Sequence, residues 1–412
     1  MKNLINAMIL SGACLFFSCN EKESTGRKPD SIDREKVYVT SMKGGAFISY
    51  SIPDDPDILY VMAEYMRNGK VFTERSSVYN NSIIVEGFNT TDPVRVSLYT
   101  VNRQGVKSDP PINIQFVPLE SPISLTFKSL VLETGFGGIV VSWENEAKTE
   151  LGFRLMFEKD GVLIDKEMYF SALARERYPF RGFTDTVMTV FALSVEDKWG
   201  NVSDTIFYSA KPYYEIEVAK PFIDMRMLVS GDNVSSYGTA YPFSKLYDGF
   251  IGDNGYLTGS GNSGNSFTID LKQVVKLSRM IFWPRVRSNS PVADVYGNVN
   301  ITKFEMWGSA AFDVAKPPSY WADLDDPSGT FKEEWEYLGY YERERLDLQG
   351  AGENDIQSRG QTGDYFDIPL TVGPVRYIRF FARATAGGSP PPNNYYQLSE
   401  LSFFGDNTVS QY

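Results

Sequence analysis

The feature that most limits what this chain folds into is an internal repeat. Gly44-Gly45-Ala46-Phe47-Ile48-Ser49-Tyr50 returns as Gly137-Gly138-Ile139-Val140-Val141-Ser142-Trp143. Downstream, Tyr65 and Gly69 match Phe157 and Gly161, and Gly87-Phe88 matches Gly182-Phe183. Val101, Gly105 and Ser108 then match Val195, Gly200 and Ser203. The offset drifts by a few residues, as happens when loops change length while strands keep their order. Two copies of a module of roughly 90–100 residues therefore follow one another. Ala46, Ile48 and Tyr50 alternate with Phe47 and Ser49, and Val94, Val96 and Leu98 alternate with Arg95, Ser97 and Tyr99. A period of two in β-branched and aromatic residues marks half-buried strands. Turn signals at Asp54-Asp55-Pro56, Asn68-Gly69, Asp160-Gly161 and Trp199-Gly200-Asn201 separate the runs. Neither copy shows sustained helical periodicity. The expectation is an all-β chain that begins with two tandem sandwiches.

Composition narrows the chemistry. The chain has no histidine, which removes the commonest general base, the commonest zinc ligand and every Ser-His or Cys-His arrangement. Its 2 cysteines, Cys14 and Cys19, both lie at the N-terminus, so thiolate catalysis and zinc-thiolate sites are not expected in the body of the chain. Carboxylate chemistry and hard-cation sites built from oxygen survive. The acids Asp323, Asp325, Asp326, Glu333, Glu334 and Glu336 cluster on one segment and read as a solvated acidic loop rather than a glycosidase pair. The expected protein is not an enzyme and uses no organic cofactor. A net charge of −12 disfavours nucleic acid as a partner.

The N-terminus carries a targeting signal. Lys2 precedes an apolar stretch from Leu4 to Phe17, followed by Ser18-Cys19, a pattern too short to span a bilayer. Ser18-Cys19 resembles a bacterial lipobox, which implies removal of residues 1–18 and acylation of Cys19. Cys14, after Ser11-Gly12-Ala13, is a second candidate, and an ordinary cleaved signal is the alternative. Residues 19–34, opening with Asn20-Glu21-Lys22-Glu23, read as a polar tether. Their acidic start resembles the surface-export signal of Gram-negative lipoproteins, which implies an outer-membrane address facing the cell exterior.

The second copy ends in Val195-Glu196-Asp197-Lys198-Trp199-Gly200-Asn201-Val202-Ser203, which resembles the last hairpin of a fibronectin type III domain. Proline-bearing joints at 118–122 and 212–221 place the modules at 35–120 and 121–218. Beyond them the chain resembles the discoidin, or coagulation-factor type C, family of the galactose-binding-like superfamily. The carriers are Leu246-Tyr247-Asp248-Gly249, Phe267-Thr268-Ile269-Asp270-Leu271 and Trp283-Pro284-Arg285. Phe304-Glu305-Met306-Trp307-Gly308-Ser309, Val375-Arg376-Tyr377-Ile378-Arg379 and Leu398-Ser399-Glu400-Leu401-Ser402-Phe403-Phe404-Gly405 complete them. The resemblance implies a jelly-roll β-sandwich over 219–412. The sequence departs from it at Tyr256, where tryptophan is usual, and in a long acidic insertion from about Asp313 to Gly363. As a whole the chain resembles three-domain surface lipoproteins of polysaccharide-utilisation loci. That implies capture of a glycan for an outer-membrane transporter; the alternative is an adhesin or scaffold that grips a protein partner.

Two constellations follow from the resemblance. Asp248, Asp253 and Glu400 correspond to positions where family members hold a structural calcium ion. The alternative is that Asp248 caps its own turn and Glu400 pairs with an arginine such as Arg285 or Arg379. Carbohydrate sites combine flat aromatic rings with a few charged or amide groups. On the expected loops those are Tyr237, Tyr256, Arg287, Asn289, Tyr395 and Tyr396. Pro390-Pro391-Pro392-Asn393-Asn394 precedes the last two and stiffens their loop. The alternative there is one buried tyrosine and one incidental surface tyrosine. Trp283 and Trp307 read as core positions on strands.

Overall fold

The structure, a computed structural model, describes residues 26–409 other than 254, 260–263, 288, 312, 314 and 322–330. The expected lipidation site, Cys19, lies outside the described residues. The first repeat contributes β1 (Tyr38–Met42), β2 (Gly45–Ser49), β3 (Ile58–Arg67), β4 (Lys70–Ser77), β5 (Ser82–Glu86), β6 (Val94–Asn102) and β7 (Ile112–Phe116). The second contributes β8 (Val131–Gly135), β9 (Gly138–Glu144), β10 (Leu151–Lys159), β11 (Val162–Ser171), β12 (Arg175–Phe180), β13 (Thr189–Asp197) and β14 (Ile206–Ala210). Their sheets have the same order. β1-β2-β5 and β4-β3-β6-β7 in the first become β8-β9-β12 and β11-β10-β13-β14 in the second. The chain is all-β, as its alternation indicates.

The double glycine that opens each repeat has a physical reason. Gly44 and Gly137 both take left-handed φ, +67° and +62°, which costs a glycine little. A Cβ on the next glycine would come 2.3 Å from the Val85 carbonyl oxygen at Gly45 and 2.0 Å from that of Phe180 at Gly138. No side chain fits at either place.

Among the described residues the chain divides into two compact units. One takes in residues up to 131, 142–177 and 192–207; the other takes in 132–141, 178–191 and everything from 208 on. In the first unit, Ala46, Ile48, Tyr50, Val96 and Leu98 are buried together with Val61, Val85 and Phe116. Ile32 and Val37 join that core. Asn102 Nδ2 donates to the Arg27 carbonyl (2.9 Å) and Thr100 Oγ1 to that of Asp30 (2.7 Å). The expected tether of 19–34 is therefore corrected: from Arg27 on the chain is part of the packed sandwich. Satisfied backbone groups and one buried isoleucine hold it there.

The second unit is organised by one strand. After β15 (Ile216–Glu217), β16 (Ile223–Asp224) and β17 (Tyr256–Leu257) comes β18 (Ser266–Trp283), followed by β19 (Ile301–Ser309) and β20 (Glu336–Glu342). β21 (Asp364–Asp367), β22 (Val375–Thr385), β23 (Gln397–Leu398) and β24 (Glu400–Asp406) complete the set. The first part of β18, Ser266–Asp270, pairs with β22 and β16, and the second, Lys276–Trp283, pairs with β24 and β21. The change occurs around Lys272, at φ +66°, where Asp270 Oδ1 accepts the Lys272 N–H (2.6 Å) and the Arg376 guanidinium (2.8 Å). One strand thus serves two faces of a sandwich. Between them Phe267 stacks on Phe380 (4.8 Å), Phe380 on Phe304 (4.9 Å) and Phe304 on Phe282 (5.6 Å).

The segment 313–363 is not a plain acidic loop, which corrects the expectation. It contains β20 and the helix Glu353–Thr362. Trp321, Phe331 and Trp335 from it are buried against Phe381, so apolar burial outweighs the charge of its flanks. The acids Asp323, Asp325 and Asp326 lie outside the described residues.

Candidate functional site

Loops at one end of the second unit gather three tyrosines. Residues 389–396 leave a proline run and enter Asn393 and Asn394, both at φ +53°, a left-handed conformation that asparagine tolerates better than most residues. The Asn394 carbonyl accepts the Asn233 amide (2.9 Å) and the Thr258 hydroxyl (3.1 Å), which ties three loops together. The chain then runs into extended backbone, where successive side chains face opposite ways. Tyr395 faces out and Tyr396 faces in. Tyr395 comes within 6.1 Å of Tyr237, and Tyr237 within 6.2 Å of Tyr241, all ring centroids. Tyr237 is 56% exposed. Partial burial beside the other two rings pushes the Tyr395 phenol up. Among the described residues none of the three hydroxyls has a hydrogen-bond partner. Next to Tyr395 lies a groove of about 300 Å³ lined by Asn298, Val299, Gly387, Pro392, Asn393 and Tyr395.

Two arginines edge the cluster. Arg285 sits 6.0 Å from the Tyr241 ring centroid; its Nε donates to Asp253 Oδ1 (2.8 Å) and to the Asp253 carbonyl (2.7 Å). Arg287 holds both oxygens of Asp294 in a fork, with Nη2 to Oδ1 at 2.8 Å. The expected Arg287 is thus present, paired to a buried carboxylate. Asn289 is exposed two residues further on, and among the described residues no contact joins it to the tyrosines.

Two expected site residues are corrected. Tyr256 and Tyr396 are both fully buried, with ring centroids 6.3 Å apart. The Tyr256 hydroxyl accepts from Arg226 (3.0 Å) and donates to the Asn233 carbonyl (3.2 Å), and burial pushes its phenol far up. Neither ring has a face for a ligand; both support the loops from beneath. Tyr241 was missed because it stands in Tyr237-Gly238-Thr239-Ala240-Tyr241, a loop without periodicity. The Gly238 turn, at φ +65°, is the only local hint that its two ends meet.

The three carboxylates expected around calcium do not form a shell. Asp248 caps its own turn, accepting the Phe250 N–H (3.0 Å), and pairs with Lys245 (2.8 Å). Asp253 is held by Arg285. Glu400 accepts the Gly249 N–H (3.3 Å), so the Asp-Gly turn and the C-terminal glutamate do meet. The cation between them is the Lys220 ammonium, which contacts Glu400 and donates to Ser402 Oγ (2.7 Å). The sequence suggests an arginine as that partner; Lys220 lies in a proline-bearing joint, where nothing local marks its role. Burial pushes the Glu400 carboxyl up, with Lys220 opposing. Among the described residues no group of three or more His, Cys, Asp or Glu side chains is placed to hold a metal ion. Likewise none of their helices is long and apolar enough to cross a membrane.

Family models match three successive stretches of the chain. Residues 29–118 match a domain of unknown function (DUF4959), 119–221 a second (DUF5126) and 245–405 a third (DUF5000). No curated protein matches the chain. Among solved structures, a SusE-like protein is similar at 21% identity and a TM-score of 0.39, over 68% of this chain and 97% of that one. A family 89 glycoside hydrolase from Clostridium perfringens is similar at 11% identity and a TM-score of 0.28, over 47% of this chain and 15% of that one. A two-domain fibronectin type III segment from chicken tenascin is similar at 15% identity and a TM-score of 0.20, over 42% of this chain and 97% of that one.

Proposed function

We propose that this chain is a lipid-anchored, non-catalytic glycan-binding protein of the outer cell surface, which captures oligosaccharide through the loop end of its C-terminal sandwich for an outer-membrane uptake system. The observation that carries the reading is the cluster of Tyr237, Tyr241 and Tyr395 beside an asparagine-lined groove. Aromatic faces remove water from the C–H faces of a sugar, and nearby amides and hydroxyls select its hydroxyl pattern. A chain with no histidine and with Asp253, Asp294 and Glu400 paired to cations offers a binder's chemistry. The lipid on Cys19 would hold it at the membrane, and the two N-terminal repeats would act as spacers.

The test is a glycan-array screen of the full chain, repeated with Tyr237→Ala plus Tyr395→Ala. A glycan bound by the parent and lost in the variant supports the reading. No glycan bound, together with a reproducible protein partner, would replace it with the adhesin alternative.

A further inference from the structure

Among the described residues, the two arginines at the tyrosine cluster are matched in pairs with two carboxylates. The structure ties two guanidiniums to two of the three rings: Arg285 lies near Tyr241 and Tyr395, and Arg287 near Tyr241. Arg285 is committed to Asp253 through Nε and Nη2. Arg287 is committed to Asp294 through Nε and Nη2, and it also lies 3.8 Å from Asp253. Two positive charges thus meet two negative ones. The Asp294 side chain is only 4% exposed, so a ligand cannot displace it without stranding a buried carboxylate. The Asp253 side chain is 57% exposed and presents negative charge to an incoming group. No residue lining the groove carries a charge.

From this balance we infer that the site takes a neutral oligosaccharide and rejects glycans bearing carboxylate or sulfate groups. The inference rests on the glycan-binding reading above and narrows it. Recognition of an acidic sugar is strongest where a guanidinium or ammonium carries a charge that no fixed carboxylate already matches. Here a carboxylate occupies the Nε–Nη2 edge of each guanidinium and matches its charge before a ligand arrives. What the ligand meets is neutral chemistry: three tyrosine rings whose hydroxyls have no partner among the described residues, amides in the groove, and the exposed Asp253 carboxylate as an acceptor for sugar hydroxyls. The net charge of −12 adds a long-range repulsion toward polyanions, which salt screens.

The experiment compares the full chain and Asp253→Asn by affinity electrophoresis. Neutral probes are laminarin, mannan, xyloglucan and galactan; acidic probes are polygalacturonate, alginate and carrageenan; each is run at low and high salt. The parent should bind at least one neutral glycan with an affinity that salt changes by less than about twofold, and no acidic one. Asp253→Asn removes the carboxylate charge that matches Arg285 and should add polygalacturonate binding that high salt weakens by about tenfold or more. An acidic glycan bound by the parent would overturn this inference and leave the glycan-binding reading standing. Failure of Asp253→Asn to gain polygalacturonate binding would overturn the assignment of the charge match as the cause. No retardation by any glycan would overturn both.

Discussion

Two regions of the C-terminal sandwich, close together in sequence around residues 395 and 400, differ in how their polar groups are used. At the corner around Glu400 every partner is internal. The carboxylate, 1% exposed as a residue, takes the Lys220 ammonium and the Gly249 N–H; Lys220 also donates to Ser402, whose hydroxyl donates to Glu217 (2.7 Å). At the loop end, three tyrosines whose hydroxyls have no partner among the described residues stand beside an open groove. A closed circuit of partners holds a fold together, whereas unused capacity at the surface is what a ligand can take up. By that criterion the corner is structural and the loop end is the site we propose.

Stability measurements should separate adjacent residues sharply. Tyr396→Ala removes a fully buried ring and should cost about 3–5 kcal/mol in urea unfolding. Its neighbour Tyr395→Ala should stay within about 0.5 kcal/mol. Comparable losses at both positions would mean that Tyr395 is also core, and the comparison would fail.

Lys220→Met leaves Glu400 buried without its cation and should cost about 3 kcal/mol near neutral pH, read as a fall in melting temperature. Because burial raises the Glu400 pKa, the native state holds a proton more tightly than the unfolded one. The stability this adds is full below the unfolded value and fades as pH rises through the folded value. Removing Lys220 raises the folded value further. The variant's deficit should therefore shrink on acidification from about pH 7 to pH 4. Calcium should not restore it. Rescue by calcium at neutral pH would show that the corner is a metal site after all.

Binding changes come next in size. Tyr237→Ala plus Tyr395→Ala should weaken the captured glycan by about 1–3 kcal/mol in calorimetry and leave the melting temperature in place. An unchanged affinity would move the site elsewhere. The smallest expected effect belongs to Tyr396→Phe. The Tyr396 hydroxyl is buried without a hydrogen-bond partner, so its removal should be neutral or stabilise by up to about 1 kcal/mol. A clear destabilisation would reveal a partner.

Much of the fold could be read from residues that repeat. The matched glycines mark left-handed or crowded backbone positions that favour glycine, and the alternation at Ala46, Ile48 and Tyr50 names the side of the strand that is buried. The site was less legible. Tyr395 and Tyr396 share composition and loop, and only the register of the strand that follows decides which ring faces water. Lys220 and Glu400 are far apart in sequence, and a single ion pair leaves no periodic trace. The segment 313–363 read as solvated because its acids are frequent, yet Trp321, Phe331 and Trp335 fold it onto the sandwich. Arg27 to Arg34 read as tether for a similar reason: one isoleucine and a few backbone hydrogen bonds decide its place.

The most direct test of the account is hydrogen exchange of the full chain with and without the glycan that it captures. The account predicts slowed exchange over 233–241 and 392–396, and no change over 216–220, 245–250 and 400–402. Slowing confined to the second set, or binding that a chelator abolishes, would contradict it.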